Sequence, residues 1–307
     1  TSVIADIRIW VDAPDADPAR ELRAIVAEQN GGGGKLGVEF DAYGLTAANG
    51  RKLEAAMAGF ATLVDASDLV SRLRAVKSAA EIVYARRAAE LADAALDEAH
   101  RLAAPGAFEG DILAAMQGAI FQGDGDYPAN EFIIGSGRDA LLCRYFSGRR
   151  RLGAEDQLTL EFAGAYRHYH AALMRTIPIG RASQRQRDMH KVCLEAMAAC
   201  LESLRPGRPI GEVFDAYARV CDAAGMGRYR LNATGYSLGA TFAPNCIDWP
   251  MFYRGNPEPA QANMVFFLHM ILMDADAGLA MCPGQTVLVG ARGAEPLSKR
   301  PLDLVIK

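Results

Sequence analysis

The 307-residue sequence is poor in the features that mark several protein classes. No apolar run approaches the roughly twenty residues a membrane helix requires. The longest, "MVFFLHMILM", contains a histidine and has the length of a strand. Basic residues are scattered apart from "GRRRL", and the formal charge is only −4, so no stripe points to nucleic acid. Six cysteines, at positions 143, 193, 200, 221, 246 and 282, form no CxxC pair, which excludes a zinc ribbon and suits reduced thiols in a cytoplasm. The chain opens "TSVIADIRIW", with no initiator methionine and no charged-then-apolar leader. The expectation is a soluble, cytoplasmic protein whose amino-terminal part is shortened.

Half of the residues are apolar, enough to pack one large domain or two. Residues 1 to about 70 alternate strand-like pieces ("VIADIRIWV", "KLGVEF") with helix-like ones ("PARELRAIVAEQN", "GRKLEAAMAGFA"), an α/β pattern. A long alanine-rich helix follows, from about Lys77 to Leu102, ending at Pro105-Gly106. Beyond it the sequence repeats itself: "LAAPGAFEGDILAA" and "SLRPGRPIGEVFDA" share Pro-Gly, a later Gly, an acid and two apolar residues, about a hundred positions apart. Strand-like runs follow each copy: "EFIIGSG", "ALLCRYF" and "DQLTLEF", then "RYRLNATGYSL", "MVFFLHMIL" and "QTVLVG". The reading is an α/β chain with a small domain over 1–70 and a domain over 71–307 built from two related halves. A concave face between the halves is the natural ligand site.

Several segments resemble the creatinase and aminopeptidase P family: the linker "LRAVKSAAEI", the hairpin "LTLEFAGAYRHYHAALMRTI", the turn "GYSLG" and the strand "NMVFFLHM". The resemblance implies a creatinase-like amino-terminal domain, here apparently incomplete, a pita-bread catalytic domain, and a homodimer. The peptidase branch of that family holds two metal ions on two aspartates, a histidine and two glutamates. Laid on that pattern, this chain has Glu161 and Ala172 at the aspartates, Tyr236 at the histidine, and His269 and Ala291 at the glutamates. Two alanines and a tyrosine do not supply the anionic oxygens a hard cation pair needs.

The resemblance to creatinase and ectoine hydrolase, the metal-free branch, implies instead a C–N bond hydrolase without cofactor or metal. Such enzymes carry a catalytic glutamate about a dozen residues after the glycine turn, where this chain has Asp248 in "TGYSLGATFAPNCIDWP". A carboxylate among Tyr236, Phe242 and Trp249 would be desolvated and suited to act as base or nucleophile, and the rings could hold a cationic amidinium or guanidinium. Asp248 equally suits a turn before Pro250. His269 either protonates a leaving nitrogen or is a satisfied core group, and His170 shares the first of these roles. Glu161 and Tyr236 would position substrate, or Glu161 would pair with Arg175 or Arg144. Alternation along "YRHYHAALMRT" places Tyr166, His168, His170 and Ala172 on one face, so His168 and His170 border the pocket. Arg144, His168, Phe242, Trp249 and Tyr253 complete the substrate-binding set. Two alternatives remain open: Glu161, His170 and His269 as ligands of a single transition metal in a hydrolase, lyase or Xaa-Pro-type peptidase relative, and a catalytically inactive small-molecule-binding relative.

Overall fold

The computed structural model describes residues 3–11, 13–142 and 148–307. The chain divides into two compact units after Arg72. In the first, α1 (Pro18–Glu28) starts where Asp17 accepts the Arg20 N–H and Pro18 fixes the first helical φ. Strand β1 (Lys35–Val38) leads to α2 (Ala47–Met57), capped by Thr46, and β2 (Thr62–Asp65) pairs parallel with β1. Residues 3–11, expected as a strand, have no regular structure. Their apolar side chains, including Ile7, Ile9 and Val11, are exposed. Alternation makes a strand only where one face is buried and a neighbour completes the ladder.

The division falls within α3 (Ser67–Ala75). In the second unit, Ser78 and Glu81 form a reciprocal capping box that starts α4 (Ala79–Leu102). The buried face of α4 is a run of alanines with Leu91 and Leu96, small enough to let the helix lie close on the sheet. After a turn with Gly106 at φ +82° comes α5 (Glu109–Gln122). Strands β3 (Ile133–Ser136), β4 (Asp156–Tyr166) and β5 (Tyr169–Ile179) follow. The piece "ALLCRYF", expected as a strand, begins in a short 3-10 turn (Gly137–Leu141), and residues 143–147 lie outside the described set.

The second half repeats the plan. Helix α6 (Gln184–Ser203) ends in a turn with Gly207 at φ +83°, and α7 (Gly211–Ala223) follows. Then come β6 (Ala233–Ser237), β7 (Asp248–Tyr253), β8 (Val265–His269), the hairpin β9 (Leu272–Asp274) and β10 (Leu279–Met281), β11 (Gly284–Val289) and β12 (Ala294–Pro296). The large sheet runs β3-β4-β5-β11-β8-β6-β7, with β12 added beside β11. Its order is mirrored about the β5–β11 seam: β4 and β8 stand one strand out on either side, β3 and β6 two. The matched helix pairs and this mirrored order are those of a mixed α/β fold made of two related halves.

Two apolar layers pack the helices on the sheet, one under α4 and α5 with Ile112, Leu158 and Leu160, the other under α6 and α7 with Phe214, Tyr217 and Phe266. A third cluster joins Ala172, Met174, Tyr236 and Phe267 of the sheet with Ala85, Ala88 and Ala89 of α4. Among the described residues no helix is long and apolar enough to cross a membrane, and Cys193, Cys200, Cys221, Cys246 and Cys282 are buried.

Candidate active site

Register along the sheet puts one row of residues across four strands. Glu161 on β4 pairs with Met174 on β5, Met174 with Gly284 on β11, and Gly284 with His269 on β8. Directly paired residues share a face, so Glu161 and His269 look out on the same side with Met174 and a glycine between them. A Cβ at Gly284 would come within 2.9 Å of the Phe267 ring and 3.0 Å of the Met174 Cβ, so Phe267 fills the space a side chain there would need.

Over this row lies a cavity of about 210 Å³, bordered by Glu161, Tyr236, His269, Asn130, Ile133 and Met251. A smaller lobe of about 20 Å³ shares Glu161, Tyr236 and Asn130 and adds Ala172 and Cys246. The Tyr236 hydroxyl donates to Glu161 Oε1 at 3.4 Å, and its ring meets Phe267 edge-on at 5.5 Å and His269 at 6.0 Å. Burial pushes the Tyr236 phenol well above its ordinary range, so it remains a proton donor. His269 is 8% exposed, its Nδ1 is buried without a hydrogen-bond partner, and desolvation pulls its pKa down to about 4. It is therefore neutral at pH 7.

The structure places the other expected residues elsewhere. Asp248 is buried, but its carboxylate meets cations. Its Oδ2 lies 2.7 Å from Arg74 Nε, its Oδ1 takes the Arg74 Nη2 at 2.9 Å, and Lys77 is a further cationic neighbour. The reason is a bulge: consecutive residues Tyr236 and Ser237 on β6 face Met251 and Asp248 on β7. That register puts Met251 on the Tyr236 side of the sheet and Asp248 on the Ser237 side, away from the cavity. Lys77 is 2% exposed, donates to Ala75 O at 2.9 Å, and burial lowers its pKa to about 8 against the opposing pull of Asp248 and Glu81.

His170 does not border the cavity. Its Nε2 accepts the Ala129 N–H at 2.9 Å, which leaves the Nδ1 proton to donate to Gly239 O at 3.3 Å, with Thr241 Oγ1 at 3.2 Å. Both ring nitrogens are thus committed to holding the loop after β6, and desolvation keeps the ring neutral. His168 is not on the same strand, because the chain turns at Arg167 and His168, with φ +53° and +64°, to join β4 to β5. At that exposed tip His168 stacks on Phe242 at 4.5 Å, and Phe242 is 67% exposed. Trp249 packs half-buried against the layer under α6 and α7, and Tyr253 is 48% exposed at the end of β7. Ala291 is exposed in the turn between β11 and β12; the last-strand residue beside His269 is Gly284. Arg175 donates to the carbonyls of Met174, Gly284 and Pro301 rather than to Glu161. Arg144 lies outside the described residues.

The residues brought together are therefore Glu161, Tyr236 and His269, joined by Asn130, Cys246 and Gly284, which the sequence reading did not single out. Cys246 had a signal, standing in the same short stretch as Asp248. Gly284 had none, since its place depends on strand register.

A mirrored pair of α/β halves sharing one sheet is the architecture of the pita-bread fold. The chain belongs to metallopeptidase family M24: that family's model matches residues 84–292, and the creatinase/prolidase N-terminal domain model matches residues 1–76. It is 30% identical to a Sinorhizobium fredii protein named uncharacterized hydrolase/peptidase y4tM, over 97% of this chain and 76% of that protein. It is 26% identical to the ectoine hydrolase of Halomonas elongata, over 97% and 76%, and 24% identical to the Xaa-Pro dipeptidase of Pyrococcus furiosus, over 78% and 67%. The crystal structure of an X-Pro aminopeptidase from Thermotoga maritima superposes with a TM-score of 0.85 at 19% identity, covering 96% of this chain and 80% of that one. That likeness concerns the fold.

A metallopeptidase family implies a metal centre, and the donors among the described residues do not fit one. Among the described residues no three His, Cys, Asp or Glu side chains converge as a metal site. The positions between Glu161 and His269 hold a methionine and a glycine, and Ala172 faces the smaller lobe. Among the described residues, Glu161, the Glu131 of the smaller lobe, one phenol and one neutral imidazole fall short of the oxygen-rich cage a divalent pair requires.

Proposed function

We propose that this chain is a metal-independent hydrolase of a non-peptide C–N bond in a small cationic molecule of the amidine, guanidine or cyclic amidine type. The observation that carries the reading is the lining of the cavity. Among its described residues are two glutamates, Glu131 and Glu161, a phenol and a neutral histidine, with no lysine or arginine. Two carboxylates with no fixed cation among the described lining residues favour a cationic ligand. Its volume of about 210 Å³ suits a molecule smaller than those held by the ~300–1,000 Å³ pockets of drug-sized ligands. The similarity to a protein named ectoine hydrolase along 97% of the chain supports the same class of substrate.

In this reading Glu161 is the general base, and Tyr236 orients it by donating to Oε1. His269 is not the acid: with a pKa near 4 it carries no proton to give at neutral pH, and its unpartnered Nδ1 instead accepts a substrate N–H. The proton that Glu161 takes from the attacking group is then the one returned to the leaving nitrogen. His170 holds the loop, and Asp248 secures β7 against Arg74 and Lys77.

The test is a turnover screen of amidines, guanidines, cyclic amidines, ureas and dipeptides, with metal content measured on the same preparation and repeated after chelation. Turnover of an amidine-type compound that survives metal removal, and falls at least about a hundredfold in Glu161→Gln, is expected. Hydrolysis confined to dipeptides and restored by added divalent metal overturns the proposal, as does tight binding without turnover.

A further inference from the structure

Asn130 borders both lobes of the cavity, and the mechanism above gives it no part. It stands half-buried in the stretch before β3, and its Oδ1 accepts the Cys246 backbone N–H at 2.5 Å. A backbone N–H only donates, so the atom it meets is the oxygen, and the orientation of the amide follows. That bond leaves Nδ2 with both of its protons, and among the described residues no acceptor takes them. Nor is Nδ2 buried unpaired, so solvent reaches it, and the cavity that the side chain borders is the space it opens on. The neighbouring groups have the opposite polarity. Glu131 and Glu161 are acceptors, the buried His269 Nδ1 lacks a donor, and Tyr236 already gives its proton to Glu161.

Resting on the proposed C–N hydrolysis, we infer that Asn130 is a catalytic residue whose Nδ2 donates to the oxygen that water brings to the substrate carbon. An amidinium carries N–H groups and no lone pair free to accept, so it satisfies the acceptors and leaves Nδ2 unmatched. The match arrives with the oxygen. Glu161 takes a proton from water as the oxygen bonds to the amidinium carbon and the C=N electron pair moves onto nitrogen. Glu161 returns that proton to the leaving nitrogen. As the C–N bond breaks toward it, an oxygen lone pair forms C=O, and the remaining oxygen-bound proton passes to Glu161 and then to the departing amine. Amidinium and water become amide and ammonium, and no oxidant or reductant enters. A donor matched only once the oxygen is bound stabilises the adduct and its collapse but not the ground state, so its effect falls on kcat rather than on KM.

Asn130→Asp separates the two ends of the amide. It keeps an oxygen for the Cys246 N–H and removes both Nδ2 protons, so a residue that only holds the loop tolerates the change. The substrate is an amidine that the wild type hydrolyses, with kcat taken on the high-pH plateau of each enzyme's profile so that a shifted Glu161 does not enter. There kcat is expected to fall at least about a hundredfold. KM should stay within about threefold or drop, since an added carboxylate favours the cation, and the melting temperature should hold. A kcat within about threefold of wild type in folded Asn130→Asp overturns the inference and leaves the hydrolase reading intact. A second readout leaves Asn130 in place. In nitrogen-labelled wild type, the Asn130 side-chain amide proton signals should move downfield with 2-pyrrolidinone, whose carbonyl stands for the new oxygen. In Glu161→Gln, which does not consume it, the cyclic amidine 2-iminopyrrolidine should leave them in place. Signals that ignore the lactam, or follow both compounds alike, overturn the inference whether or not Asn130→Asp folds. If the wild type hydrolyses no amidine-type compound, the hydrolase reading fails, and the spectra alone decide whether Asn130 is the oxygen donor of this cavity.

Discussion

Replacing Asp248 by asparagine separates the two roles that residue could have. The Asp248 side chain is 1% exposed and meets Arg74 at 2.7 and 2.9 Å through its two oxygens. Asparagine keeps the volume and one acceptor, so the Trp249 N–H that Asp248 Oδ1 now takes at 2.8 Å stays satisfied. The other oxygen becomes an amide donor facing a guanidinium, and the charge opposing Arg74 and Lys77 is gone. Removing one partner of a buried pair costs about 3–5 kcal/mol. The Arg74 side chain is 36% exposed, so water recovers part of its solvation, and the expected cost is about 2–3 kcal/mol. In a unit of this size that lowers the melting temperature by roughly 5–10 °C. Lys77, already at about 8, loses a neighbour that favours its charge, so its pKa falls further. Thermal melts, with kcat measured on folded protein well below the transition, are the assay. The expected outcome is a clear loss of stability with kcat within about threefold of wild type. A loss of about a thousandfold in kcat at an unchanged melting temperature would refute the placement of Asp248 outside the chemistry.

The histidines and the tight helix contact give further tests. His269 has a folded pKa near 4 against an ordinary 6.5, so the unfolded chain binds the extra proton between those values, and the stability present above pH 6.5 is lost as pH falls to 4. Relative to His269→Leu, the wild type should lose about 3 kcal/mol over that window in urea melts, and parallel curves would show the ring to be solvated. His170→Ala strands the Ala129 N–H and the Gly239 carbonyl, for an expected loss of about 2–4 kcal/mol; an unchanged denaturation midpoint would contradict the bonding described. A Cβ at Gly164 would lie 2.1 Å from Ala88 O, so Gly164→Ala should push α4 off β4 and cost about 1–3 kcal/mol or more, and an unshifted melt would mean the helix does not lie so close.

What was legible in the sequence followed from local rules. The α4 start at Ser78, the two Pro-Gly turns and the long hairpin are written in caps, breakers and periodicity, and a helix of alanines declares how close it packs. Tyr236, His269 and Glu161 were singled out not by local rules but by the resemblance of their strands to the family's ligand pattern. The failures are equally physical. Counting in twos along "YRHYHAALMRT" missed that Arg167 and His168 turn the chain, so one apparent strand is the end of one and the start of another. Asp248 was misplaced because a bulge moves it to the opposite face from Tyr236, and no propensity records a register shift. Residues 3–11 show a β pattern without the partner that would realise it.

The cavity row also shows what packing allows between Glu161 and His269. Glu161 and His269 occupy strands mirrored about the seam, so the two related halves present their polar groups toward each other wherever the sheet keeps its register. What separates them is fixed by packing. Gly284 is the only residue type that lets the Phe267 ring lie against Met174, and Phe267 in turn supports the edge of the Tyr236 ring. An acid introduced at position 284 would displace Phe267 and with it the phenol that orients Glu161. The apolar contact and the Tyr236–Glu161 hydrogen bond are therefore coupled: the packing that excludes a second carboxylate is the same packing that aims the first.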